Sequence, residues 1–264
     1  MTDHIEPKNA PLFVDTMPIS RYVSCLSTAS FDKARTSMIE NGYRVISLEE
    51  NAILRMETEK HYAVSRLDSN VREGLLFVPE RGLYITKKSP FFQDFPIELN
   101  FCNNTRPDWD DRSAPSNSRI ITKDQIEEAL SDSISIPGKD VFVPANRFAE
   151  DEYAIYLFGE TAGEYRDFLS SRGVEGLFFS GKDLLDSTEP FVQRIYSRIG
   201  VQTVPDPNNP PDRMSICVQV LDFDGYGVLT RGVKDLSDVI MEDGSIRIQQ
   251  EPYKETRYYA PETF

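Results

Sequence analysis

Leu75-Leu76-Phe77-Val78, Pro79-Glu80-Arg81-Gly82 and Leu83-Tyr84-Ile85-Thr86 follow one another without interruption, and their reading decides the fold. Two β-prone, apolar runs flank a segment in which proline pre-sets φ and glycine is free to take a positive φ. A loop of three to four residues ending in glycine suits a type I turn with a bulge, so residues 75–86 are predicted to form a β-hairpin. Nearly every residue of both runs is apolar, so neither face of the hairpin is expected to be fully wet. The hairpin is therefore placed at the centre of the molecule.

Working outward, the helix signals come in pairs of start and stop. Ser30 caps a helix over 31–40, which Asn41-Gly42 ends. Ser47-Leu48-Glu49-Glu50 is a capping box opening a helix to about residue 58. Thr122-Lys123-Asp124-Gln125 and Thr161-Ala162-Gly163-Glu164 are two further boxes, the second helix ending at Gly173. Pro190 in a first turn predicts a helix to Ile199, stopped by Gly200. Strands are expected at 21–25, 141–143, 153–158, 175–179, 215–223, 228–231 and 246–249, with a last helix over 234–241. The mixture lacks a strict β-α-β-α alternation. The predicted class is α+β, with a mixed or mainly antiparallel sheet around the 75–86 hairpin and short helices flanking it.

Domain organisation follows from composition. Residues 1–20 contain Pro7, Pro11 and Pro18 with little periodicity and read as an extended arm. Residues 21–203 form the main α+β domain. Val204-Pro-Asp-Pro-Asn-Asn-Pro-Pro-Asp212 is a proline-rich linker. Residues 213–264 read as a small β-β-α-β appendage with an extended tail, or as strands completing the main sheet. Echoes such as Phe-Val-Pro at 77–79 and 142–144 do not extend in a common register, so no internal repeat is read.

Charge and composition exclude several functions. The formal net charge is −14, which opposes general affinity for nucleic acid or anionic membranes. An acidic nucleic-acid mimic remains one reading of the same charge. No apolar run is long enough for a bilayer span, and the first residues lack a signal-peptide pattern, so a cytoplasmic protein is expected. Cys25, Cys102 and Cys217 are three in number and widely spaced, fitting neither a disulfide framework nor a metal clamp. There are two histidines, His4 and His61, and no His-x-x-His or Gly-x-Ser-x-Gly pattern.

Three motifs carry possible chemistry. Gly176-Leu-Phe-Phe-Ser-Gly-Lys182-Asp183 has the spacing of a phosphate-binding loop, but Leu177, Phe178 and Phe179 belong in a strand core, and Asp183 replaces the metal-binding hydroxyl. Val218-Gln-Val-Leu-Asp222-Phe-Asp224-Gly225 resembles the first motif of haloacid-dehalogenase-type phosphatases. That resemblance implies Asp222 as nucleophile, Asp224 as general acid and a bridging Mg²⁺, with Lys182 approaching in space. Residues 226–230 depart from that family's pattern and only 40 residues follow Asp224, so a hairpin turn is the competing reading. The polar stretch 103–118 holds the only tryptophan, Trp109, among Asp108, Asp110 and Asp111, carboxylates suited to Ca²⁺ or Mg²⁺. Its competing reading is a tryptophan plug with solvated acids.

One charge feature runs against the overall balance. Between residues 60 and 92 six bases face three acids. Arg72, Arg81, Lys87 and Lys88 are therefore the candidate contact residues for an anion, a partner carboxylate or a phosphate, at the basic edge of the hairpin. The tail, with Tyr258, Tyr259 and Phe264, is a candidate docking peptide for a protein partner or a second copy. The sequence thus reads as a soluble binding or regulatory protein without a cofactor, not a conventional enzyme. A Mg²⁺-dependent phosphoryl hydrolase using Asp222 and Asp224 is the alternative.

Overall fold

The computed structural model describes residues 12–14, 21–29, 31–58, 69–87, 123–137, 141–179, 191–203, 212–219 and 229–239. In chain order the strands and helices are β1 (Phe13–Val14), β2 (Tyr22–Ser27), α1 (Phe31–Glu40), β3 (Arg44–Val45), α2 (Leu48–Glu57), β4 (Ser69–Val78) and β5 (Gly82–Thr86). They continue with α3 (Lys123–Leu130), β6 (Ser133–Ile136), β7 (Val141–Pro144), α4 (Glu152–Phe158), α5 (Ala162–Ser171) and β8 (Gly176–Phe179). The last are β9 (Phe191–Thr203), β10 (Asp212–Gln219) and β11 (Thr230–Asp235). The fold is α+β, with short helices on a mixed, largely antiparallel sheet.

The hairpin forms in the predicted register: Leu75 opposes Ile85, Leu76 opposes Tyr84 and Phe77 opposes Leu83. Arg81 N–H closes the turn on the Val78 carbonyl at 3.0 Å. Gly82 takes φ +106°, as glycine can, but Glu80 also sits at φ +66°, a conformation a side chain adopts reluctantly. Strand β4 is the hub. It runs antiparallel to β9 on one side; on the other its second half pairs with β5, and Asn70 pairs in parallel with Thr230 of β11. The strand path runs β1-β2-β11-β4-β9-β10-β8-β7, so strands on both sides of the 204–212 segment lie in one sheet.

Both faces of the hub are covered, which explains its unbroken apolar run. Leu75 and Phe77 pack into the large core with Leu48, Leu54, Phe158, Tyr165 and Leu169. Leu76 and Val78 pack instead on Ile126 and Ala129 of α3. A third cluster puts Phe31 and Met38 of α1 on Val23 and Cys25 of β2. There Gly232 has no space for a side chain: a Cβ would stand 2.9 Å from both the Cys25 and Met38 sulfurs.

Several sequence expectations are corrected. Residues 153–158 were expected as a strand from their tyrosine and isoleucine content, but they form helix α4. Asp151 caps it by accepting from Tyr153 and Ala154 N–H at 3.0 and 3.1 Å, and Ala154, Leu157 and Phe158 share the buried face. The helix expected to run from Pro190 to Ile199 is the strand β9, held between β4 and β10. Tertiary pairing of a segment rich in β-branched residues outweighs one proline start signal. The helix expected over 234–241 is overturned where it is described. Lys234 and Asp235 end β11, and one 3₁₀ turn, Leu236–Asp238, follows. The third capping box does not form, because the Thr161 hydroxyl donates to the Phe158 carbonyl at 2.6 Å. The strand expected at 246–249 lies outside the described residues, as do all but Asp212 of the 204–212 linker and the arm except for 12–14.

Candidate functional site

The hub strand carries a deformation that positions charge. Asn70 of β4 opposes Tyr196 of β9, yet Gly74 opposes Arg194, so Val71, Arg72 and Glu73 together oppose Ile195. This bulge bends β4 and re-aims its side chains. It docks on the segment leading into α2: Arg72 N–H donates to the Ile46 carbonyl at 2.9 Å, and Leu48 N–H is shared by both Glu73 carboxylate oxygens at 3.0 and 3.1 Å. Glu73 thus serves one of the free N–H groups at the start of α2, beside the Ser47–Glu50 capping box, which forms in full.

Glu73 is 1% exposed. Its burial pushes the carboxyl up to about 7, against the opposing pull of Arg72, the backbone N–H groups and Lys87. Lys87, just beyond β5, places its ammonium 5.1 Å from the centre of the Tyr156 ring. The Tyr156 hydroxyl accepts from Lys87 N–H at 3.1 Å and donates to the Asp132 carbonyl at 2.7 Å, tying the open end of the hairpin to the turn after α3. Burial raises the Tyr156 phenol above its ordinary range, so it stays protonated. Arg72 is half-buried, its Nε makes no hydrogen bond, and no carboxylate among the described residues forms an ion pair with it. Arg72 and Lys87 thus both act electrostatically on one carboxyl poised near neutrality by the open end of the hairpin.

The four candidate cations do not share one place. The register puts Arg81 at the hairpin tip, about five residue steps or roughly 15–20 Å from Lys87. There it pairs with Glu127 at 2.6 Å, both side chains about half exposed. Lys88 lies outside the described residues, as do Lys182, Asp222, Asp224, Asp108, Asp110, Asp111, Tyr258, Tyr259 and Phe264. Gly176 of the phosphate-loop-like motif lies in β8, paired in parallel with β10. Its missing side chain serves packing, since a Cβ there would collide with the Val143 carbonyl and the Phe142 ring. Among the described residues, no cluster of three or more His, Cys, Asp or Glu side chains is arranged to hold a metal ion. No helix among them is long and apolar enough to cross a membrane.

Sequence reasoning placed no role on Glu73, and it missed the bulge. The only local hint is the charged pair Arg72-Glu73 directly before Gly74 and the apolar 75–78 run.

No family model matches the chain, and no curated protein matches it. Among solved structures it is similar to a chain described as "Accommodation of massive sequence variation in Nanoarchaeota by the C-type lectin fold". The two share 14% identity over 88% of this chain and 99% of that chain, with a TM-score of 0.48.

Proposed function

We propose that this protein is a binding module that receives an anionic group at the open end of its central hairpin, between Arg72 and Lys87. The observation that carries the reading is the half-buried Arg72 guanidinium, which has no carboxylate of its own although a buried carboxylate is next to it in sequence. Both oxygens of that neighbour, Glu73, are engaged by Leu48 N–H, leaving the Arg72 donors for an incoming oxyanion. The Glu73 proton is the natural control. Protonation of the carboxyl removes one negative charge beside Arg72, so an anion binds more tightly as pH falls through about 7.

The test is calorimetric titration with sulfate, whose charge is constant near neutrality, at pH 6 and pH 8 and fixed ionic strength. The reading expects saturable binding that is tighter at pH 6 and weakened about tenfold or more by Arg72→Ala. The pH dependence should vanish in Glu73→Gln. Sulfate binding unchanged by Arg72→Ala sinks the proposal.

A further inference from the structure

At the other end of α2 lies a second cation. Arg55, in the last turn, is 1% exposed. Its Nη1 donates to the Tyr165 hydroxyl at 3.1 Å and to the Ser197 hydroxyl at 3.3 Å. Asn51, one turn earlier, donates to the same Ser197 oxygen at 3.2 Å. The remaining two nitrogens, Nε and Nη2, are buried and have no hydrogen-bond partner. No carboxylate among the described residues forms an ion pair with Arg55.

Three points of chemistry follow. A guanidinium does not shed its proton in a protein, so the cost of its burial is not relieved by neutralisation. Nε and Nη2 form one edge of the guanidinium, the parallel pair of N–H groups that grips the two oxygens of a carboxylate or phosphate. The Tyr165 and Ser197 hydroxyls act here only as acceptors, so each still has a hydrogen to donate. The cluster is therefore rich in donors and lacks an acceptor carrying charge. An anion supplies both the acceptors and the charge that a buried group of this composition lacks.

We infer that Arg55, Tyr165 and Ser197 form an internal binding site for a small oxyanion, gripped by the free Nε–Nη2 edge of Arg55. This site is independent of the hairpin-end reading, since it uses none of Arg72, Lys87 or Glu73. Arg55 is closed off from water in the described conformation, so entry requires local opening, and an equilibrium measurement through unfolding is the suitable test.

The full chain is melted in increasing formate and, separately, increasing inorganic phosphate, against chloride at matched ionic strength. A ligand of the folded state raises the melting temperature by mass action, by about 3–6 °C at ten times the midpoint concentration. The inference expects a saturable rise with formate, phosphate or both, the planar and tetrahedral arms telling which oxyanion fits. Arg55→Lys keeps the charge but lacks the fork, and it should abolish the rise. Both arms, and the Arg55→Lys comparison, are run in the Arg72→Ala background, which removes the hairpin-end contribution and so separates the two sites. If Arg55→Lys does not fold, Ser197→Ala must move the midpoint several-fold higher. No rise beyond chloride in the Arg72→Ala background, or a rise that Arg55→Lys or Ser197→Ala leaves intact, overturns the inference.

Discussion

The two ends of helix α2 each bury a charge-bearing side chain, and the helix dipole favours both: a carboxylate at the start and a cation at the close. They differ in what happens when water is removed. Glu73 relieves its desolvation by taking a proton near neutrality, even with Arg72 and Lys87 nearby. Arg55 has no such recourse, and the groups described around it are neutral: Asn51, Tyr165 and Ser197. The carboxyl is thus an adjustable element, while the guanidinium is a fixed demand for an anion. Sign of charge, more than depth of burial, separates a titrating site from a binding site here.

The largest test of this contrast is Glu73→Gln. The folded carboxyl lies near 7, above its ordinary 4.5, so the native state holds the extra proton between those values. Stability therefore falls as pH rises through that window, by on the order of 3 kcal/mol in total. Urea unfolding at pH 4.5 and pH 8 should reveal that loss in the wild type and lack it in the amide variant.

Next in size is Tyr165→Phe, which removes one acceptor from the Arg55 cation. It should destabilise the protein by about 1–3 kcal/mol in denaturant melts, with the same penalty at pH 5 and pH 8 because a guanidinium stays charged across that range. A penalty that changed with pH would merge the two ends that the contrast keeps apart.

Ser47→Ala probes the frame between them. It removes half of the capping box that starts α2, at a cost of about 1 kcal/mol, and loosens the Leu48 N–H that Glu73 accepts. The apparent Glu73 midpoint should then rise, because a lost donor disfavours the ionised form. Smallest is Arg81→Ala at the hairpin tip. Its exposed pair with Glu127 is screened by solvent and should contribute little to stability, and sulfate affinity should be untouched.

What the sequence made legible were signals contained in a few adjacent residues. The 75–86 hairpin is announced by its proline and glycine, α1 by Asn41-Gly42, and α2 by Ser47 and Glu50. Segments whose state is settled by distant partners were misread. Phe191–Thr203 becomes a strand because β4 and β10 flank it, and Glu152–Phe158 becomes a helix because its buried face meets the core. Of the candidate site, Arg72 and Lys87 were visible as local positive charge. Glu73 was hidden, since its role arises from a bulge with no sequence mark and from a helix start 25 residues away. Arg55 was hidden more simply: a basic residue in a helix's last turn reads as an ordinary partner of the dipole until its burial is known.

The most direct measurement is a carbon-13 NMR titration of the Glu73 side-chain carboxyl, assigned with Glu73→Gln, with and without saturating sulfate. The account predicts a midpoint near 7 that moves upward when sulfate is bound, since an anion beside Arg72 favours the protonated form. A midpoint near the ordinary carboxylate value, or one indifferent to sulfate, would contradict it.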